Sequence, residues 1–156
     1  MTKRNLEIKS TEDVKKLVDK LVPMAELELF LQNCDYICNV LPNTPATTEC
    51  LNTQILSQGL GKSPVFVNVG RANVISDQTL LQALDSGWFS AAILDVFHQE
   101  PLPSEHAFWN HPKIVVTPHV SALSRPEDIA ECFVTNLDLC LQDKPLQNLV
   151  NWKESY

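Results

Sequence analysis

Short apolar runs alternate along the chain with segments of helical periodicity. Four runs have the length and bulk of strands: residues 36–41 (YICNVL), 65–69 (VFVNV), 91–96 (AAILDV) and 113–117 (KIVVT). Because the runs are nearly continuous rather than alternating, we expect parallel strands that are buried on both faces. Strands separated by helices predict βαβ units, and therefore an α/β fold with a partial doubly wound parallel sheet and flanking helices.

The helical segments lie before, between and after these runs. Apolar residues at helical spacing predict four shorter helices, at residues 11–21, 24–32, 52–58 and 77–86. Asp77 is placed to cap the last of these. Pro126 suits the first turn of a long C-terminal helix, which runs to about residue 142 with one apolar stripe (Ile129, Phe133, Leu137 and Leu141). The short tail after it is expected to pack against an apolar surface.

Composition and charge exclude several classes of function. The chain has 156 residues, a formal net charge of −7 and three arginines, so we expect one domain that does not bind nucleic acid. No apolar run approaches the roughly 18 residues of a membrane-spanning helix, and the N-terminus lacks the apolar core of a signal peptide. Five cysteines show no metal-binding spacing, which predicts reduced thiols in a cytoplasmic protein and no metal site.

The glycines are too few for a phosphate-binding loop. Four occur in the sequence, at positions 59, 61, 70 and 87. A P-loop would need a fifth glycine at position 56, where Leu56 stands, and no G-x-G-x-x-G follows a strand. The sequence therefore does not encode the pyrophosphate cradle of a dinucleotide site.

Polar residues follow three of the predicted strands. Arg71 follows the second run, Asp95 and Glu100 follow the third, and His119 follows the fourth. The carboxyl ends of parallel strands share one edge, where α/β proteins bind ligands. Three of these residues also have a structural explanation: Asp95 as a satisfied strand-end carboxylate, Glu100 as a solvated loop charge, and His119 as a capping or core histidine.

Together, these residue types suit one reaction. A guanidinium holds a carboxylate through two hydrogen bonds. A carboxylate beside an imidazole orients it and favours its protonated form. The imidazolium can then give a proton to an oxygen whose carbon accepts a hydride from a nicotinamide. The set therefore indicates the reduction of a 2-oxo acid.

Long stretches around these residues resemble a known family. Residues 68–103 (NVGRANVISDQTLLQALDSGWFSAAILDVFHQEPLP) and 113–131 (KIVVTPHVSALSRPEDIAE) are similar to the D-isomer-specific 2-hydroxyacid dehydrogenases, and within them to the glyoxylate/hydroxypyruvate reductase A-like group. The segment CDYICNVLPNTPATTECLN and the tail LQNLVNWKESY resemble the same group. The resemblance covers roughly residues 18–156 and implies a Rossmann-like fold.

The resemblance implies roles for individual residues. It makes Arg71 the group that binds the substrate carboxylate and carbonyl, Glu100 the partner that orients the histidine, and His119 the proton donor and acceptor. Its implied contacts with NADP or NAD are Pro42, Thr48, Val69, Gly70, Arg71, Asp95, His119, Ser121 and Ala122. Lys3 and Arg4 resemble remnants of a pocket for the 2′-phosphate of NADPH, although a solvated terminus explains them equally well.

The resemblance also implies a domain organisation. Residues 1–156 would form a single partial NAD(P)-binding domain, with residues 123–156 as its C-terminal helix and tail. The glycine-rich first βαβ unit and the N-terminal substrate domain would be missing. We therefore expect an exposed sheet edge, weak cofactor binding, impaired activity of the chain alone, and a homodimer or other self-association.

Three functional interpretations stay open. The first is an NAD(P)-dependent 2-hydroxyacid dehydrogenase, whose partner is a small 2-oxo or 2-hydroxy acid such as glyoxylate or hydroxypyruvate. The second is a catalytically silent remnant that acts as an interaction or regulatory module. The third is a truncated product of a gene for a complete enzyme. None of them involves nucleic acid or a membrane.

Overall fold

A four-stranded parallel sheet forms the centre of the protein. The structure is a computed structural model that describes residues 2–3, 18–122 and 124–153. The sheet contains β3 (Tyr36–Asn39), β4 (Val65–Asn68), β5 (Ala91–Leu94) and β6 (Ile114–Val116), which are hydrogen-bonded in chain order. Two further short strands, β1 (Thr2–Lys3) and β2 (Val22–Pro23), form a separate parallel pair. The predicted α/β fold with a parallel sheet is confirmed.

Three short helices connect the strands. The segment predicted as one helix at 24–32 is a 3-10 turn (Met24–Glu26) followed by α1 (Leu27–Leu31). Helix α2 (Thr53–Gly59) begins after Asn52, whose side chain accepts a hydrogen bond from the backbone N–H of Ile55. The helix predicted at 11–21 falls mostly outside the described residues.

Helix α3 (Asp77–Asp85) begins at the predicted residue but has a different N-cap. Ser76 is its N-cap, and the Ser76 hydroxyl accepts a hydrogen bond from the backbone N–H of Thr79. The prediction that Asp77 caps this helix was wrong. Asp77 instead lies in the first turn, where the helix dipole favours a negative charge.

The hydrophobic core lies on one face of the sheet. Side chains that alternate along the strands point into it, including Ile37, Phe66 and Ala92. Phe66 stacks on Phe89 with ring centroids 5.2 Å apart. Buried leucines of α1, α2 and α3 complete the core: Leu27, Leu31, Leu56, Leu80 and Leu84. This packing fixes the strands whose carboxyl ends carry the site.

The opposite face of the sheet is open. Tyr36 is 71% exposed and Val115 is 56% exposed, while Ile93 and Val40 are also exposed. The expectation of strands buried on both faces was therefore wrong for this chain. An apolar run shows that both faces favour burial, but α1, α2 and α3 all contribute to the core on the other face.

Helix α4 (Pro126–Leu141) confirms the predicted long C-terminal helix with proline in its first turn. The predicted stripe, however, is exposed to solvent: Ile129, Phe133, Leu137 and Leu141. The tail is exposed as well, and Trp152 is 87% accessible, so the tail does not pack as expected. The C-terminal part thus presents apolar surface.

No helix in the described part of the chain is both long enough and apolar enough to cross a membrane.

Candidate active site

Glu100 and His119 form a pair at the carboxyl edge of the sheet. His119 Nδ1 lies 2.8 Å from Glu100 Oε2, and Glu100 Oε1 accepts a hydrogen bond from the backbone N–H of Phe97 at 2.9 Å. The bond from His119 is the main cause of a lowered pKa of the Glu100 carboxyl, followed by the bond from Phe97. Because the carboxylate is ionised at neutral pH, His119 Nδ1 carries the hydrogen, and Nε2 is left to exchange a proton.

Arg71 adds a positive charge to this pair. Arg71 follows β4 in an extended conformation, and the residue is exposed to solvent. Its Nη1 donates a 2.7 Å hydrogen bond to the carbonyl of Gly70. The charge of Arg71 is the smallest of the contributions that lower the pKa of the Glu100 carboxyl, after the bonds from His119 and Phe97 and the charge of His119. The structure thus pairs Glu100 with His119 and places Arg71 after β4 at the same carboxyl edge of the sheet, and the catalytic roles of the three residues stay a prediction.

Two buried asparagines hold the backbone of Arg71. Asn39 Nδ2 donates to Asn68 Oδ1 at 2.8 Å, and both side-chain amides donate to the carbonyl of Arg71 at 3.2 Å. Asn68 Oδ1 also accepts from the backbone N–H of Gly70 at 3.2 Å. The sequence analysis missed this pair, which we call the Asn39–Asn68 clamp. The sequence did contain a signal for it, because an Asn-Val dipeptide occurs inside each of two apolar runs. A buried asparagine amide needs hydrogen-bond partners, so two such residues on neighbouring strands can be expected to bond to each other.

Gly70 packs closely against the end of β3 and the residues that follow it. A Cβ atom on Gly70 would lie 2.9 Å from Asn39 Nδ2 and 2.9 Å from the backbone N and O of Leu41. Backbone atoms on this side cannot move away as a flexible side chain could. Glycine is therefore needed at position 70, directly before Arg71.

Asp95 directly follows β5 and is 2% exposed. Its carboxylate accepts hydrogen bonds from the Thr117 hydroxyl and from the backbone N–H groups of Val120 and Ser121. Burial alone raises the pKa of the Asp95 carboxyl, but bonds from Thr117, Ser121 and Val120 outweigh it and hold the pKa well below its usual range. Both oxygens of Asp95 thus face the segment that carries His119, and its contact with a nicotinamide stays a prediction.

The turn after β3 carries the predicted cofactor residues Pro42 and Thr48, both exposed. The carbonyl of Pro42 accepts a 2.7 Å hydrogen bond from the Thr47 hydroxyl. The Thr48 hydroxyl donates to the carbonyl of Thr44 at 3.0 Å and lies 3.1 Å from Asn73 Nδ2. These bonds fix the turn at the same edge as Arg71.

The other predicted cofactor residues lie in three parts of the chain: after β4, after His119, and near the N-terminus. Val69 and Gly70 follow β4, and Val69 donates its backbone N–H to the carbonyl of Asn39 at 3.2 Å. Ser121 and Ala122 follow His119 and are exposed. Lys3, in contrast, belongs to β1, in the separate two-stranded sheet. Arg4 lies outside the described residues.

The remaining histidines attach the loop that carries Glu100 to helix α3. His106 Nε2 lies 3.1 Å from Asp77 Oδ2, and His111 Nε2 lies 3.4 Å from Asp85 Oδ1. His98 Nε2 lies 3.1 Å from the carbonyl of Ile75. Within residues 2–3, 18–122 and 124–153, no cluster of three or more His, Cys, Asp or Glu is placed to hold a metal ion.

A parallel sheet with polar side chains gathered at its carboxyl edge is the architecture of a Rossmann-like dinucleotide-binding domain. The sequence profile of the D-isomer specific 2-hydroxyacid dehydrogenase NAD binding domain matches residues 6–121. The match covers more than half of the chain, and the chain therefore belongs to this family.

Solved structures agree with this assignment. A D-isomer specific 2-hydroxyacid dehydrogenase from Xanthobacter autotrophicus Py2, in complex with NADPH and MES, is 31% identical with a TM-score of 0.82 over 88% of this chain and 57% of that one. An NADPH-dependent glyoxylate/hydroxypyruvate reductase from Sinorhizobium meliloti, in complex with NADP and sulfate, is 29% identical with a TM-score of 0.84 over 99% of this chain and 48% of that one.

A third structure, a family member from Klebsiella pneumoniae 342, is 35% identical with a TM-score of 0.78 over 85% of this chain and 42% of that one. The chain thus spans about half the length of these proteins. The resemblance found in the sequence is confirmed at the level of the family.

Proposed function

We propose that the chain forms the acid–base half of an NAD(P)-dependent 2-hydroxyacid dehydrogenase. The reaction is the reduction of a small 2-oxo acid, such as glyoxylate or hydroxypyruvate, to the D-2-hydroxy acid. The observation that carries the proposal is the 2.8 Å bond between Glu100 and His119, with Arg71 following β4 at the same edge of the sheet. These are the three groups that the reaction needs from the protein.

The side chains divide the chemistry between them. The exposed guanidinium of Arg71 binds the carboxylate of the 2-oxo acid and polarises its carbonyl. His119 holds a proton on Nε2 and donates it to the carbonyl oxygen as that oxygen gains negative charge. Glu100 keeps Nδ1 protonated, so the ring can pass through its cationic form without rotating. The nicotinamide, when bound, supplies the hydride.

The residues present fit the nicotinamide end of the cofactor. Gly70 packs closely against Asn39 and Leu41, which holds the turn after β3 beside the end of β4, and His119 lies at the same carboxyl edge of the sheet. The residues proposed to contact the cofactor are Pro42, Thr48, Val69, Gly70, Arg71, Asp95, His119, Ser121 and Ala122. Because the four glycines form no phosphate-binding loop, we expect weak binding of NADP or NAD by this chain. Lys3 and Arg4 remain our proposal for a 2′-phosphate contact.

Further parts of the proposal concern the whole assembly. We treat residues 1–156 as a partial NAD(P)-binding domain, in which residues 123–156 form the C-terminal helix and tail. The open face of the sheet and the stripe of α4 favour a homodimer or other self-association, because exposed apolar patches are typical of interaction surfaces. Sedimentation velocity at several concentrations tests this: a monomer at every concentration contradicts it.

The function is tested by binding and turnover together. Ligand-observed NMR with NADPH and oxamate, an unreactive analogue of a 2-oxo acid, detects even millimolar binding. We expect Arg71→Gln to abolish the oxamate signal, whereas Arg125→Gln, which alters an arginine paired with Asp128 at the start of α4, keeps it. Equal oxamate binding by wild type and Arg71→Gln would refute the assignment.

Turnover is followed by the loss of NADPH absorbance with hydroxypyruvate. Any rate of the wild-type chain should fall by about 10²–10⁴-fold in His119→Gln, as expected for loss of a general acid. His111→Gln, in which the histidine bonded to Asp85 is changed, should keep the wild-type rate. If the wild type neither binds oxamate nor reduces hydroxypyruvate, the silent interaction module becomes the better interpretation.

A further inference from the structure

Asp95 lies under the turn that carries His119. Asp95 Oδ1 accepts hydrogen bonds from the Thr117 hydroxyl and from the backbone N–H of Val120 at 3.0 Å. Asp95 Oδ2 accepts from the backbone N–H of Ser121 at 2.9 Å. One buried carboxylate therefore binds the turn on both sides of His119.

His119 itself has an unusual backbone conformation. Its φ is 53°, in the left-handed region that residues with a side chain seldom adopt. The turn contains its own short hydrogen bond, from the N–H of His119 to the carbonyl of Thr117 at 3.1 Å. A residue in this region persists only when its surroundings fix it, and the bonds to Asp95 on either side are the contacts that do so.

The ring and the backbone of His119 are thus held by different acids. Glu100 binds the imidazole at 2.8 Å, and Asp95 binds the backbone next to it. The direction of the ring depends on where the Cα–Cβ bond of His119 points, and that is set by the turn. The bond between His119 and Glu100 therefore depends on the conformation of the turn that Asp95 binds.

We propose that Asp95 is a positioning residue, which fixes the left-handed turn at His119 and so aligns the imidazole with Glu100. Burial to 2% exposure, with both oxygens occupied by the protein, supports this role. The catalytic meaning of the alignment rests on the function proposed above, but the alignment itself does not.

The chemistry of the bonds requires a carboxylate. An asparagine at position 95 could still accept from the Thr117 hydroxyl and the Val120 N–H through its oxygen. Its amino group would then face the N–H of Ser121, donor against donor, and that bond would be lost. Asp95→Asn is therefore nearly the same size but releases one side of the turn.

The experiment records the imidazole and backbone ¹⁵N signals of the full chain by NMR. The Glu100→Gln variant gives the reference spectrum for a His119 ring without its ionised partner. We expect Asp95→Asn to shift the His119 Nδ1 signal towards that reference and to move the amide signals of Val120 and Ser121. The rings of His98, His106 and His111 should keep their wild-type signals.

Two more variants keep the test decisive. Thr117→Val removes only the hydroxyl donor at nearly constant volume, and should shift the same signals in the same direction by a smaller amount. Asp85→Asn is the matched control: it removes the carboxylate bonded to His111 and should change the His111 ring alone.

The proposal is overturned if the His119 ring of folded Asp95→Asn coincides with wild type. If Asp95→Asn does not fold, an unchanged His119 signal in Thr117→Val overturns it instead. These signals do not depend on turnover. A chain that shows the shifts but binds no oxamate therefore refutes the proposed function and leaves the role of Asp95 intact, while the converse result refutes the role alone.

Discussion

The Asn39–Asn68 clamp should be a major source of local stability under Arg71. Asn68→Ala removes three hydrogen bonds: one from Asn39, one from the N–H of Gly70, and one to the carbonyl of Arg71. The side chain is 2% exposed, so water cannot simply replace it. The groups left behind determine the cost of the substitution.

The expected cost follows from counting those groups. The buried N–H of Gly70 loses the Asn68 oxygen, which costs about 1–3 kcal/mol for an unsatisfied donor. The hydrogen bond from Asn39 Nδ2 to the carbonyl of Arg71 remains in the variant. Each of these two groups therefore adds less to the loss of stability than the N–H of Gly70. With the small cavity that alanine leaves, the free energy of unfolding should fall by about 2–4 kcal/mol.

Urea denaturation followed by tryptophan fluorescence measures this change. The control is Asn33→Ala, at an exposed position in the turn after α1, which should cost no more than about 0.5 kcal/mol. The double variant Asn39→Ala/Asn68→Ala should cost less than the sum of the single variants by about 0.5 kcal/mol or more, because the two residues share a bond. Strict additivity, or an Asn68→Ala cost equal to that of Asn33→Ala, would refute the clamp.

Two further predictions concern acid and Gly70. The pKa values of Asp95 and Glu100 are both lowered in the folded chain, so their stabilisation is complete above the ordinary carboxyl value of about 4 and is lost as the pH falls through the lower folded values. Circular dichroism between pH 7 and pH 2 should show this loss, with a shallower slope in Asp95→Asn; equal slopes would contradict it. Gly70→Ala should lower the free energy of unfolding by about 1–3 kcal/mol through overpacking against Leu41. Thermal melts of both variants measure this: Gly87→Asn, at a left-handed position with open space around it, should cost less than Gly70→Ala, and the reverse order would exclude the proposed clash.

The strands could be read from the sequence because their signal is local. Runs such as VFVNV combine β-branched and aromatic residues over a length that suits a strand, and the neighbouring helical segments make a parallel arrangement the simplest one.

The residue that caps a helix is harder to predict from the sequence. Ser76 and Asp77 can both cap a helix, and only the backbone conformation of residue 76 selects the serine.

Burial was harder to predict than secondary structure. An apolar run shows that water is unfavourable on both faces of a strand, but it does not say whether a partner covers each face. Tyr36 and Val115 therefore belong to correctly predicted strands and are nevertheless exposed. The same limit applies to the stripe of α4, whose periodicity was correct but which the described residues leave exposed.

The sequence alone determined the order of strands and helices, the family, and the residue types at the carboxyl edge, because each depends on local pattern or on linked motifs. Only the tertiary structure decided how those residues act on one another. Asn39 meets Asn68 because β3 and β4 pair in register, and Asp95 reaches the turn at His119 because β5 lies beside β6. Both contacts join residues more than 20 positions apart in the chain, and a distance set by sheet register leaves no mark in a local sequence pattern.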